Sequence, residues 1–296
     1  MHLSKLINFL VCPICQSDKL VIVAKNIRCQ KCSHRYLVIK GIPIMLPESL
    51  DRQELSQKNI FNRHYRKFSS TKYYLENWRQ SMLNRIFNHG FTKSINTYLD
   101  IGCGATGYTV IEASKRGIPY SFGCDISLEA MIKANNLAKL QGVSKNTAFV
   151  VSSAQNLSFK KNYFDYVSLV SILEHLKDDK STIKSIYQTL KTKGYLFICV
   201  PNAYKKIPIF IWPFYYYTDK KLGHKRHYSL KKLNLLLTKN KFKKISHVYN
   251  GHLVKFLQLF LDKIKASNNQ LWWSLENNDI NKNQSGAQLN SIYQKK

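Results

Sequence analysis

The stretch TYLDIGCGATGY at 97–108 constrains this chain more than any other. An apolar strand runs into Asp100, and glycines at 102, 104 and 107 then lead into a helix-like segment. Glycine suits such a turn because the backbone must bend sharply and admit a ligand closely, and side chains would block both. The N–H groups that open the next helix favour a polar or anionic ligand group. A glycine-rich turn of this kind also fits a dinucleotide site or an ordinary strand-to-helix connection. The segments further along the chain narrow the choice.

The stretch PYSFGCDIS at 119–127 predicts a second strand ending in Asp125, with Ile126 beside it. A carboxylate at that strand end can accept hydrogen bonds from both ribose hydroxyls of an adenosine. The plainer reading of Asp125 is a cap for the next helix. A third strand within 149–155 leaves Ser153, Ala154 and Gln155 where an adenine ring would lie. A fourth, YFDYVSLVSILEHL at 163–176, runs into Ser171, Glu174 and His175, and a fifth is KTKGYLFICVPN at 191–202. Open α/β sheets bind ligands in the crevice at the carboxyl ends of their strands, which is where these residues fall.

In this order and spacing the five segments resemble the class I S-adenosylmethionine-dependent methyltransferases, over roughly residues 70–250. The resemblance implies a seven-stranded, mostly parallel, Rossmann-like αβα sandwich with S-adenosylmethionine as cofactor. On that reading Asp100, Gly102, Cys103, Gly104 and Gly107 surround its methionine part and Asp125 and Ile126 its ribose. Ser153, Ala154 and Gln155 lie by its adenine, and Ser171 and Glu174 complete the cofactor side. A nicotinamide dehydrogenase would share the glycines and Asp125 but would leave Asp100 unexplained. Many methyltransferases of this type carry the third glycine at the position of Thr106, whereas here it is Gly107.

A methyl leaves a sulfonium by in-line displacement, so acceptor and methyl must be aligned and water excluded. A hydroxyl acceptor also needs a base, for which His175 is a candidate. The stretch LGHKRHYSL at 222–230 precedes a predicted helix at Ser229. It resembles the acceptor region of ubiquinone-biosynthesis and surface-polysaccharide methyltransferases. That resemblance makes His224 and His227 further candidate bases, with Arg226 available for an anionic group. A solvated basic loop is the plainer reading. The chain lacks an Asn-Pro-Pro-Tyr motif after the fourth strand, and it has no cysteine near that strand. Both absences argue against amino- and cytosine-C5-methylation of nucleic acid.

Cys12, Cys15, Cys29 and Cys32 form two Cys-x-x-Cys pairs thirteen residues apart. Four thiolates on two knuckles suit a structural, tetrahedral zinc. A disulfide framework would need an exported chain, and the start, MHLSKL, lacks the apolar core and cleavage site of a signal peptide. Residues 1–48 resemble a small zinc-ribbon family whose members activate methyltransferases or are fused before them. Three segments are therefore expected: a ribbon at 1–48, a helical linker or cap at 49–95, and a methyltransferase domain at 96–296. Residues 251–285 read as an insertion containing an amphipathic helix. In the linker Phe61, Tyr65, Phe68, Tyr73, Tyr74, Trp78 and Leu83 form a stripe at helical spacing, read as core packing.

Lys and Arg number 46 against 17 acidic residues, a formal charge of +29, and the excess is mostly lysine. General basicity of this kind attracts nucleic acid or an anionic membrane, but lysine does not read guanine bidentately as arginine does. The proline-broken aromatic run at 207–217 is too short to span a bilayer. The apolar face at 252–264 suits packing on the domain, on a second copy in a homodimer, or on a membrane surface. The expectation is a cytoplasmic enzyme, with peripheral contact at the inner membrane face as an option. It would O-methylate a small-molecule or lipid-linked acceptor such as a glycan or quinone-like precursor. An RNA methyltransferase using the ribbon for docking is the alternative, and a non-catalytic scaffold is a third reading.

Overall fold

A computed structural model gives the structure of the chain, and it describes residues 1–66, 73, 77–203, 209, 212–251 and 286–296. Along the chain come α1 (Leu3–Leu6), β1 (Leu20–Val23), β2 (Asn26–Cys29), β3 (Arg35–Tyr36), β4 (Val38–Ile39), β5 (Ile42–Met45), α2 (Arg52–Arg66) and α3 (Asn77–Phe87). Next are β6 (Thr97–Ile101), α4 (Tyr108–Lys115), β7 (Tyr120–Asp125), α5 (Leu128–Leu140), β8 (Thr147–Ser152), β9 (Phe164–Val170) and α6 (Asp179–Thr189). The last elements are β10 (Leu190–Pro201), α7 (Trp212–Leu222), α8 (Leu230–Lys239), β11 (Phe242–Asn250) and β12 (Gln288–Lys295). Two compact units emerge. The first comprises Met1–Tyr73, Ser94–Ser168 and Asp178–Gly194, and the second Tyr74–Lys93, Leu169–Lys177 and Tyr195–Lys296.

In the first unit the strands lie in the order β9-β6-β7-β8-β5-β4. β6, β7 and β8 pair in parallel, Leu99 opposite Phe122 and Phe122 opposite Ala148. Every residue of β6 and β8 is buried, as expected of strands covered on both faces. Helices α4 and α5 supply Val110, Ile111, Met131, Ala134 and Leu137 to an apolar core with Phe149 and Val151. Ser127 caps α5 by accepting from Ala130 N, and Asp178 caps α6 by accepting from the amides of Lys180 and Ser181.

The expected seven strands of the α/β core are present as β6–β12, and the N-terminal module adds two more. β5 pairs in parallel with β8, Ile44 opposite Val151, and β4 pairs with β5. The module is stitched on elsewhere by Val11 N donating to Ser158 O (2.9 Å) and Lys160 N to Phe9 O (3.0 Å). The Phe9 ring packs 4.9 Å from Phe122 and 5.1 Å from Tyr163. Separately, β1, β2 and β3 form a three-stranded sheet that carries the cysteine knuckles.

In the second unit β12 lies between β10 and β11, antiparallel to both. The order matches the predicted final strand and the fifth strand, and α8 begins after Ser229 as predicted, with Ser229 accepting from Lys232 N. The amphipathic stretch at 252–264 lies outside the described residues, as do Phe68, Tyr74 and positions 207, 208, 210 and 211 of the aromatic run. Among the described residues no helix is long and apolar enough to cross a membrane.

Candidate functional site

The glycine turn is held by the strand ends around it. Gly102 and Gly104 have φ of +72° and +62°, the left-handed region in which a Cβ is strained. The N–H groups of Gly102 and Cys103 both donate to Cys124 O, at 2.7 and 3.1 Å, which ties the turn to β7. Gly104 N donates to Asp125 Oδ2 (3.2 Å), and Ser127 N donates to Asp125 Oδ1 (2.9 Å). Ser127, not Asp125, is thus the helix cap, and Asp125 stands between the turn and α5. Burial raises its carboxyl to about 6. Ile126 packs on the core beside it.

Asp100 is buried and accepts from two hydroxyls, Thr109 Oγ1 of α4 and Ser168 Oγ of β9. Burial pushes its carboxyl up to about 7. One oxygen thereby braces the helix after the turn and the other the neighbouring strand β9. Gly107 opens α4 at φ +50°, and a Cβ there would meet Phe149 Cε1 at 2.9 Å and Ala134 Cβ at 3.0 Å. Its lack of a side chain is explained by close helix-to-strand packing. Cys103 is buried, and its Sγ would lie 2.6 Å from a Cβ at Gly123.

Helix α2 reaches three strand ends at once. Tyr65 OH lies 3.0 Å from where a Gly104 Cβ would be. Ser127 Oγ donates to Asn62 Oδ1 (2.7 Å), and Ser153 Oγ donates to Glu54 Oε1. Gln155 N donates in turn to Ser153 Oγ (3.1 Å), with Ala154 between them. From sequence Tyr65 reads as core packing, and Glu54 and Asn62 carry no role. Their spacing, which puts positions 54, 62 and 65 on one helix face, was the available signal.

The second unit gathers the other candidates. Ser171 and Glu174, expected on the cofactor side, lie here in the same segment as His175. Ser171 N donates to Cys199 O (2.9 Å) at φ +53°. Glu174 is fully buried, and neither carboxylate oxygen has a hydrogen-bond partner among the described residues. Burial raises it to about 8. His175 has its ring 4.8 Å from that of His224 and is lowered to about 4, first by burial and then by the His224 charge. Lys225 N donates to Glu174 O (2.9 Å), and Arg226 Nη2 donates to Lys177 O (2.8 Å).

Asp219 organises the two later histidines. Its Oδ1 meets His224 Nδ1 at 2.6 Å and its Oδ2 meets His227 Nε2 at 2.7 Å. His227 Nδ1 faces Asn202 O at 2.8 Å. Both ring nitrogens of His227 therefore face oxygen partners. His224 Nδ1 is oriented by the Asp219 carboxylate, to which it donates. Of the three candidate bases, His224 has the carboxylate-oriented geometry of an activated imidazole. Asp219 gave no signal in the sequence, because an acid late in a helix commonly only faces solvent.

The four N-terminal cysteines converge. Cys12 Sγ lies 3.6 Å from Cys32 Sγ, and Cys15 Sγ lies 3.6 Å from Cys29 Sγ. All four sulfurs lie within 4.8 Å of one another. Zinc–sulfur bonds of about 2.3 Å arranged tetrahedrally place sulfurs about 3.8 Å apart, so the donor set fits zinc. All four thiols are free of disulfides.

Comparison with known proteins agrees with this geometry. Residues 99–198 match the family model described as a methyltransferase domain. The chain is 35% identical over 95 residues to norajmaline N-methyltransferase of Rauvolfia serpentina, covering 32% of each protein. It is 30% identical over 107 residues to tRNA 5-carboxymethoxyuridine methyltransferase of Escherichia coli, covering 36% of this chain and 40% of that one. It thus spans well under half the length of these curated relatives. Among solved structures, the MccD protein superposes with a TM-score of 0.57 at 17% identity, over 75% of this chain and 99% of that one. Geranyl diphosphate methyltransferase superposes with a TM-score of 0.56 at 13% identity, over 74% and 86%. The [4+2]-cyclase SpnF gives 0.56 at 16% identity, over 82% and 96%, so the fold by itself does not fix the reaction. The chain carries a class I S-adenosylmethionine-dependent methyltransferase fold with an N-terminal cysteine cluster.

Proposed function

We propose that this protein is an S-adenosylmethionine-dependent methyltransferase that O-methylates a small-molecule or lipid-linked acceptor, such as a glycan or quinone-like precursor. The observation that carries the reading is the turn at Gly102–Gly104 clasped to Asp125 across the ends of parallel strands. Gly102 and Gly104 leave room for the cofactor's methionine part, Asp125 offers acceptor oxygens to the ribose hydroxyls, and Ser153 to Gln155 border the adenine. Asp100 holds the turn and α4 in place from within. Four cysteines would hold a structural zinc, which stabilises a module too small to bury a sufficient core of its own.

When bound, the cofactor supplies a methyl on a sulfonium sulfur; as the O–C bond forms the S–C bond breaks and its electron pair stays on sulfur. Acceptor activation falls to the histidines in this reading. His224 Nε2 takes the hydroxyl proton, and Asp219 stabilises the imidazolium that results. The similarity to a tRNA methyltransferase and the charge of +29 favour RNA as a second reading. Calorimetric titration with S-adenosylhomocysteine, with and without total RNA, tests both. Micromolar binding supports the methyltransferase reading, RNA-enhanced and salt-sensitive binding moves it to RNA, and no binding to folded protein removes it.

A further inference from the structure

The N-terminal module and α2 enclose a cavity that none of the proposed cofactor residues lines. It lies within the first unit and has a volume of about 490 Å³, with walls from β3, β5, α2 and the segments that join them. Small-molecule sites span roughly 300 to 1,000 Å³. The inner side is apolar: Leu46 belongs to the buried core, and Ile44 and Leu50 pack against it. Leu37 and Leu55 also line the cavity and are 58% and 48% exposed, so its mouth is apolar as well.

The charged groups of the cavity do not balance. Its only lining carboxylate, Glu48, meets His34 Nδ1 at 3.0 Å. Arg35 and Lys58 line the cavity too, and neither side chain has an ion pair or hydrogen bond among the described residues. Lys58 is half-buried, and burying a cation without a partner is costly. Arg35 stands directly opposite Arg28 in the β2–β3 ladder, and both are exposed. Like charges facing each other across a ladder are destabilising. The Arg28 side chain donates to a neutral group, Ser33 Oγ, at 3.4 Å. An anion at the mouth would relieve both costs.

The walls are held in place from outside the cavity. Cys29 N donates to His34 O (2.9 Å), Ile44 N donates to Leu37 O (2.9 Å), and Tyr36 OH lies 3.0 Å from Cys12 Sγ. A site fixed in advance loses little freedom when it is filled.

From this combination we infer that the cavity binds a single-chain amphiphile with a phosphate or carboxylate head. The chain lies against Leu46, Leu50 and Leu55, and the head is held by Arg35 and Lys58. A guanidinium meets two oxygens of such a head at once, and an ammonium adds a point charge. The apolar groups line a concavity, which suits an enclosed chain better than the flat face of a bilayer. Nucleic acid would use the cations and leave the leucines without a role. The inference goes beyond methyl transfer and does not depend on it.

The test is calorimetric titration of the full chain with decyl phosphate below its micelle concentration. Decanol and inorganic phosphate probe the chain and the head alone. About one decyl phosphate per chain is expected, with a Kd of roughly tens of micromolar, and the chain or head alone should bind at least about tenfold more weakly. Arg35→Gln and Lys58→Gln should each weaken binding about tenfold. Lys25→Gln removes the same charge from the exposed turn between β1 and β2 and should leave binding unchanged. The melting transition shows whether each variant is folded. No binding of decyl phosphate below millimolar concentration overturns the inference, as does equal binding of decanol or unchanged binding in both folded cavity variants. A loss in Lys25→Gln as large as in Lys58→Gln would trace the affinity to general basicity and overturn it too. Binding to vesicles of anionic phospholipid but not to free decyl phosphate would replace it with a membrane surface.

Discussion

The glycine turn of the first unit and the histidine cluster of the second handle buried carboxyl groups in opposite ways. Asp100 and Asp125 are both buried, but each has its two oxygens engaged by amides or hydroxyls of the surrounding strands and helices. Glu174 is buried at least as completely, and its oxygens have no partner among the described residues. The first arrangement is a property of the fold, since most of its donors come from the turn itself and the elements flanking it. The second depends on side chains brought from separate stretches, 174–175 and 219–227. A fold-given site is ready to bind a ligand shared by many enzymes; a side-chain-built one is where a particular chemistry is added.

The largest effect is expected where stability rests on a metal. Cys29→Ser should lose zinc and lower the melting temperature by roughly 10 °C, since structural zinc contributes folding energy directly. Full zinc content in that variant would contradict the four-cysteine site. Next comes the proposed ribose contact: Asp125→Ala should weaken S-adenosylhomocysteine binding by about 10- to 100-fold, the loss of hydrogen bonds to a charged acceptor. Unchanged affinity would show that Asp125 serves only to clasp the turn.

The same carboxylate should make binding depend on pH. Asp125, raised by burial to about 6, is charged above that pH and protonated below it. Protonation removes an acceptor oxygen, so cofactor affinity should rise as pH increases to about 6 and then level off. Asp125→Asn should abolish that rise. If the step survives in the variant, Asp100, raised to about 7, is its source.

Gly107→Ala separates packing from ligand contact. The new methyl would press on Phe149 and Ala134 at a left-handed φ, which should cost about 1 to 3 kcal/mol of stability. The affinity of the folded protein for S-adenosylhomocysteine should hardly change. A loss of affinity as large as that of Asp125→Ala would place Gly107 among the cofactor contacts. The smallest effect should come from Asn62→Ala, which removes one hydrogen bond to Ser127. It should weaken cofactor binding by about 1 kcal/mol if α2 helps to close the turn, and calorimetry would read the difference.

Much of this molecule was legible in its amino-acid order because the signals were local. The strand ends at Asp100 and Asp125, the glycine turn between them and the two cysteine knuckles each occupy a short stretch whose chemistry demands those residue types. The helix start at Ser229 and the final strand from Gln288 were legible for the same reason. Long-range contacts were not. That β5 adds to the edge of β8, that α2 brings Glu54, Asn62 and Tyr65 to three strand ends, and that Asp219 orients His224 and His227 all depend on contacts that no local pattern marks. An exposed acid and an aromatic on a helix face look the same in sequence whether or not a partner awaits them. The sequence by itself determined the order of strands and turns and the residue types at their ends. Only the tertiary structure decided which side chains meet, and so which carboxylates find partners, as Asp100 and Asp125 do, and that Glu174 has none among the described residues.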